Sequence, residues 1–388
     1  MKLLQRYGFA LAVSALALLL VAYILVYVSF PDERRLFDLR ERHEQLRCLD
    51  VGLYPNIRLH APGVIPRAAH SVYPPTSLVQ LWLVSPFASF KANAAFFFLL
   101  TGVAFAILSV HAWRVGCVAG RWGGLLAVAG LWCMSASFMS VKAGQPALLI
   151  NAILVLMSGA VMRNRQEWAG CAWIAAMMKP HTSLPFFAML VAKRRWYACF
   201  VGAVLLGALG WGVSSFTGHT LLEVLYASYG QSPMTYASIG DTLVQPLMSL
   251  LGIGHRPAVL ITALLAMGLL LPFVFRPLAS LPSLVHLAAA GVAGRLGFYH
   301  RHYDDVMLAF LLLALTEEAL RSRGTAAWMM LAITGLTLWV PYPLLAQFSG
   351  TSWRIVIWAS ALVYLTRTAL KRVSVSTNSA PGEQVSVG

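Results

Sequence analysis

The sequence predicts an all-α polytopic membrane protein with about ten full transmembrane helices, a two-helix hairpin, and an outer loop that carries surface helices. Composition is the first reason. Of 388 residues, 59% are hydrophobic and only 11% charged, with mean hydropathy +0.71, whereas soluble domains carry roughly a quarter charged residues. The second is that the apolar residues fall in runs long enough to cross about 30 Å of hydrocarbon. The third is that Arg and Lys recur at alternate turns. The formal charge of +15 then follows from basic residues capping hydrophobic segments on one face of a bilayer, and no nucleic-acid partner is expected.

In chain order, Lys2 and Arg6 precede an apolar run over residues 7–30. The run is longer than a signal-peptide core and ends in Ser29-Phe30-Pro31 without a small-residue cleavage pattern, so it reads as a retained first helix with its amino terminus inside. Residues 31–90 then form the first outer loop. Its first part, 31–75, holds six of the fourteen acidic residues (Asp32, Glu33, Asp38, Glu41, Glu44 and Asp50) and seven arginines. Apolar residues at 36, 39, 46 and 49 suit a helix lying on the membrane surface. Residues 77–90 are apolar but short and broken at Pro86. They span only about 21 Å as a helix, so a second surface or re-entrant helix is expected.

Residues 92–112, 124–141 and 146–162 read as spans, separated by the cytoplasmic turn at Arg114 and Arg121 and the outer turn at Lys142 to Gln145. Segments 168–178 and 182–192 are each too short to cross alone and form a hairpin, with Lys179-Pro180-His181 at its tip and Lys193-Arg194-Arg195 after it. Spans follow at 197–216, 258–275, 278–296, 306–320, 326–340 and 353–370. A second outer loop covers 217–256, with a short helix near 243–251. Residues 1–372 thus form one transmembrane domain, and 373–388 a disordered cytoplasmic tail. Each later cytoplasmic turn carries Arg or Lys.

This topology gathers the costly polar residues on the outer face. They are Asp38 and its neighbours, Lys142 with Gln145, Lys179 with His181, and Tyr299 to Asp305. A carboxylate, several cations and an apolar groove suit transfer of a sugar from a phosphate-linked lipid. The carboxylate takes a proton from an acceptor hydroxyl, and fixed cations hold the leaving phosphate without a metal.

Several motifs, in order, give the chain a family resemblance. They are Asp38-Leu39-Arg40, Gly52 to Tyr54, Tyr73-Pro74-Pro75, Gly144-Gln145 with Asn151, and Lys179-Pro180, with a weaker echo at 302–308. Across 38–180 the chain resembles glycosyltransferase family 87, the polyprenol-phosphate-dependent mannosyltransferases of the membrane-embedded GT-C superfamily. The resemblance implies a GT-C-type helical bundle and an inverting transfer with Asp38 as general base. The donor would be a polyprenyl-phosphate sugar and the acceptor a lipid or glycan, with no cofactor or metal. Catalysis would lie on the extracytoplasmic face of a bacterial inner membrane. The candidate donor-phosphate residues are Lys179, His181, His300, Arg301 and His302, and the candidate sugar-binding residues Tyr73, Lys142, Gln145, Arg42 and His43. Arg42-His43 replaces the aromatic pair that commonly follows the acid, and Pro146 with Ala147 interrupts the Gly-Gln-x-Asn spacing.

Plainer readings stand beside these. Asp38 sits among acids, so a solvated helix with Asp38/Arg42 or Arg34/Asp38 pairs is the alternative, with Glu41 and Asp50 the next candidate bases. Lys179 and His181 would cap the hairpin and snorkel. Gln145 would satisfy a helix end, and Asp304-Asp305 would hold a divalent cation. A transporter or flippase of lipid-linked sugars is the second functional class, and a pentosyl (arabinofuranosyl-like) transferase the alternative within the enzyme class.

Overall fold

The computed structural model describes residues 14, 16–22, 24–25, 35–55, 73–227, 243–297, 301–341, 344 and 352–378, and these form helices, turns and no strand. The helices are α1 Phe37–Asp50, α2 Pro75–Val84, α3 Phe90–Gly116, α4 Arg121–Trp132, α5 Ser135–Ala143, α6 Ala147–Met162, α7 Gln166–Ala176, α8 Pro180–Ser183, α9 Phe187–Ala192 and α10 Trp196–Thr217. They continue as α11 Val244–Leu251, α12 His255–Val274, α13 Ser283–Gly297, α14 Ala309–Ser322, α15 Thr325–Trp339 and α16 Ser352–Asn378.

Among the described residues three helices are long and apolar enough to cross a membrane: α3 with the short 3₁₀ turn that follows it, α10 and α12. Only about a fifth of each apolar window is buried within the protein (22%, 17% and 22%). Their outward faces carry Phe98, Leu99, Phe200, Trp211, Leu260 and Leu264, a surface that needs an apolar solvent. The first predicted span lies mostly outside the described residues.

Where the sequence predicts one span over 124–141, the chain instead breaks at Cys133-Met134, and α4 and α5 meet at 47°. Their combined apolar composition concealed this, because hydropathy does not register a bend. The predicted span at 278–296 likewise begins as a 3₁₀ turn, Leu278–Ser280, and becomes α-helical only after Pro282. At the carboxyl end α16 runs on to Asn378, into the first residues of the tail expected at 373–388, and the rest of that tail lies outside the described residues. Arg372 pairs with Glu318 of α14 there and Val373 packs against the core, which holds the added turns in place.

The centre of the bundle is α13 with α14, packed on each other and buried on nearly every side, as expected for helices apolar all round. Gly291 allows a close backbone approach to α13, since a Cβ there would stand 2.7 Å from the Met307 carbonyl oxygen. That lets the 3₁₀ helix His302–Leu308 lie directly on α13. Around the core, α1 and α2 sit against α3, and α2 is tied to the hairpin by Ser77 Oγ donating to the Met177 carbonyl at 2.9 Å and Gln80 Nε2 to that of Ile174 at 2.7 Å. Pro75 starts α2, two residues ahead of the segment expected from 77, because proline at the first helical position loses no hydrogen bond.

Candidate functional site

Four segments converge: the first turn of α1, the turn between α5 and α6, the hairpin tip, and the 3₁₀ helix His302–Leu308. α1 is fixed at its start by Leu36, which adopts a left-handed conformation (φ 55°) and donates its N–H to the Lys142 carbonyl at 2.7 Å. Asp38 follows in the first turn, where the positive end of the helix dipole favours a carboxylate. Across from it, Gly144 ends α5 at φ 76°. A side chain there would be strained in the backbone, and its Cβ would stand 2.6 Å from Leu39 Cβ. Glycine therefore lets α1 settle onto the turn, and Gln145 comes to lie against Asp38.

Asp38 is 4% exposed. One of its oxygens accepts a hydrogen bond from Gln145 Nε2 at 2.6 Å, while Gln145 Oε1 accepts one from Lys179 Nζ at 3.0 Å. One amide thus bridges carboxylate and ammonium, and only this orientation serves both, because the ammonium has no lone pair to offer. Gln145 Nε2 also reaches the Tyr303 hydroxyl at 3.3 Å. Lys179, 2% exposed, forms an ion pair with Asp304 and lies 4.7 Å from the centre of the Tyr303 ring. The second Asp304 oxygen lies 3.8 Å from His181 Nε2 and accepts the Arg301 backbone N–H at 3.2 Å. Burial, with the carboxylates of Asp38 and Asp304 nearby, pushes the Tyr303 phenol far above its ordinary range, so it stays neutral.

No protein-family model, curated protein or solved structure matches this chain.

Five candidates therefore meet in one connected group: Asp38, Gln145, Lys179, His181 and, through its backbone, Arg301. His302 flanks it, its ring tilted against Tyr303 at 5.8 Å. Arg42 adjoins it, buried, with its guanidinium 4.4 Å from the centre of the Tyr73 ring and hydrogen-bonded to Gln45. The Tyr73 carbonyl accepts the Tyr54 hydroxyl at 3.2 Å, which fixes that ring's place. The solvated pairing of Asp38 with Arg42 is thus replaced by a buried arrangement in which each has a different partner. Glu41 sits beside Arg42 at 3.8 Å, and burial raises its carboxyl above the ordinary value.

Two candidates have other roles. His43 is turned to α3, where Nδ1 accepts from the Asn93 amide at 2.9 Å and the ring tilts against Phe90. Burial lowers its pKa and keeps it neutral for that bond. Lys142 contributes its carbonyl to the anchoring of Leu36, and its side chain is buried. His300 lies outside the described residues.

Asp304 and Asp305 do not act as a pair. Asp305 points the other way, between Arg295 of α13 and Arg354 of α16, and both guanidiniums lie against Trp358 at 5.5 and 4.8 Å. Burial alone would raise the Asp305 carboxyl, but the two guanidiniums hold it below the ordinary value. Each carboxylate is satisfied by its own cations, so the joint divalent-cation reading gives way. Among the described residues no three His, Cys, Asp or Glu side chains converge as metal ligands would. The role of Asp304 as counter-ion to Lys179 and the Arg295–Asp305–Arg354 group escaped sequence reasoning. Their only signal was charge inside apolar runs, and nothing in the sequence pairs residue 179 with 304 or 295 with 354.

Proposed function

We propose that the chain is an integral membrane glycosyltransferase that moves a hexose from a polyprenyl-phosphate donor to a lipid or glycan acceptor, with inversion and with Asp38 as general base. Mannose is the sugar that the family resemblance suggests. The observation that carries the reading is the buried Asp38 carboxylate, held by Gln145 against a cation group at one end of an apolar bundle. In this reading the helices cross the bilayer about ten times. The turns rich in Arg and Lys face the cytoplasm, and the Asp38 end opens to the extracytoplasmic side.

The chemistry follows from the residues. An acceptor hydroxyl approaches Asp38, its oxygen attacks the anomeric carbon, and its proton passes to the carboxylate as the bond from that carbon to the phosphate oxygen breaks. The electron pair leaves with the prenyl phosphate. Lys179, already engaged by Asp304 and Gln145, contributes a fixed positive field. The part-exposed His181, Arg301 and His302 lie nearer the surface, where a phosphate would arrive. Gln145 keeps the carboxylate oriented and Tyr303 remains a neutral donor.

The test is transfer from a panel of radiolabelled prenyl-phosphate sugars by the purified chain in native-lipid nanodiscs. Wild type should transfer one of them, and Asp38→Asn should lower turnover by about 10²–10⁴-fold while still binding donor. Wild-type turnover in that variant would move the base to Glu41 or Asp50. If no donor is used but wild type carries a lipid-linked sugar across the bilayer, the transporter reading replaces the enzyme.

A further inference from the structure

A cavity of about 660 Å³ lies between α3, α6 and α13, far from Asp38. Its walls are apolar, among them Ala106, Val110, Leu156 and Leu287, and its lining also includes His111, Arg114 and Arg163. α6 fixes the separation. Gln145 precedes its first residue and Arg163 follows its last, and sixteen residues at about 1.5 Å each put these ends roughly 24 Å apart. The sequence assigns this basic end to the cytoplasmic face.

We propose that this groove binds one anionic membrane phospholipid, with an acyl chain between the three helices and the phosphate against Arg114, Arg163 and His111. Size supports a single chain. At about 30 Å³ per water-sized group the space takes about twenty methylene-sized units. Charge supports an anionic head group. Neither Arg114 nor Arg163 has a carboxylate in ion-pair range among the described residues, and the buried His111 Nε2 has no hydrogen-bond partner. The one acid acting on His111 is Glu317, which is paired with Arg321 at 2.7 Å. Arg114 closes the last turn of α3 and Arg163 caps the end of α6. Those helix ends repel an anion, so recognition rests on the side chains themselves. Basic pockets between helices at a cytoplasmic surface suit phosphate head groups for the same reasons. The inference needs the apolar helices to lie in a membrane and does not depend on glycosyl transfer.

Native mass spectrometry of the delipidated full chain tests it. The protein would be equilibrated with equimolar phosphatidylglycerol and phosphatidylcholine of the same acyl length. Wild type should retain phosphatidylglycerol by about thirtyfold over phosphatidylcholine, the factor expected for two arginines at the head-group level. The Arg114→Gln/Arg163→Gln variant should lose that preference, and Ala106→Phe, which fills the groove, should weaken both lipids. Circular dichroism would confirm that the variants are folded. The proposal fails if wild type has no head-group preference or if the double variant keeps it. It fails equally if millimolar inorganic phosphate displaces the lipid, which would make a soluble anion the ligand.

Discussion

Replacing Lys179 by Met is the sharpest test of the packing around the site. The side chain is 2% exposed and its partner Asp304 1%. The substitution keeps length and apolar volume but leaves Asp304 a buried carboxylate that has lost its ammonium, with His181 at 3.8 Å and the Arg301 N–H among the groups still beside it. It also leaves Gln145 Oε1 without the donor it had at 3.0 Å. Breaking a buried pair from one side costs about 3–5 kcal/mol. Residual support from His181 puts Lys179→Met near about 3 kcal/mol. Asp304→Leu leaves an ammonium with one amide and a ring face, and belongs nearer about 5 kcal/mol. The double variant removes both charges and should cost far less than the sum of the two. Reversible unfolding in mixed micelles titrated with dodecyl sulfate would measure all four proteins. Singles within about 1 kcal/mol of wild type, or a double variant equal to their sum, would refute a buried, mutually dependent pair.

Gly144→Ala should destabilise by about 1–2 kcal/mol from the left-handed backbone alone, and more from the collision with Leu39, as read by the same unfolding titration. If the turn positions α1, that variant should also lower any Asp38-dependent activity. Glu41→Gln should change the pH dependence of stability. Burial raises the carboxyl's folded-state pKa, so wild type has its full stability contribution below about pH 4.5 and loses it as pH rises through the raised value. The Gln variant should gain on wild type as pH climbs through that window, and parallel unfolding curves at every pH would disprove the assignment. Arg354→Met should strand Asp305 with Arg295 alone and cost about 3 kcal/mol or more, whereas a merely peripheral arginine would cost under about 0.5 kcal/mol.

Much of the site was legible residue by residue. Asp38 was marked as a carboxylate in the long polar segment 31–75, and Gln145 and Lys179 as polar groups at the ends of apolar runs, where desolvation makes an idle charge expensive. The hairpin tip at Lys179-Pro180 was also readable, because proline imposes a backbone constraint that acts locally, whereas α2 begins at Pro75, two residues before the segment expected from 77. His43 misled for the opposite reason. It shares the helix of Asp38, but five residues of helical rotation turn it to Asn93 instead. The break between α4 and α5 was hidden because hydropathy sums over a bend.

The sequence by itself determined the helical class and the need for an apolar environment, since both follow from composition and run length. It also placed Asp38, Gln145, Lys179 and Asp304 in separate stretches of the chain. Only the tertiary structure decided which of them meet. Joining residues 38, 145, 179 and 304 depends on Gly144 and Gly291 admitting close approaches, and on a buried charge having to find its counter-ion wherever the fold brings one. Local pattern carries no record of a pairing across more than a hundred residues.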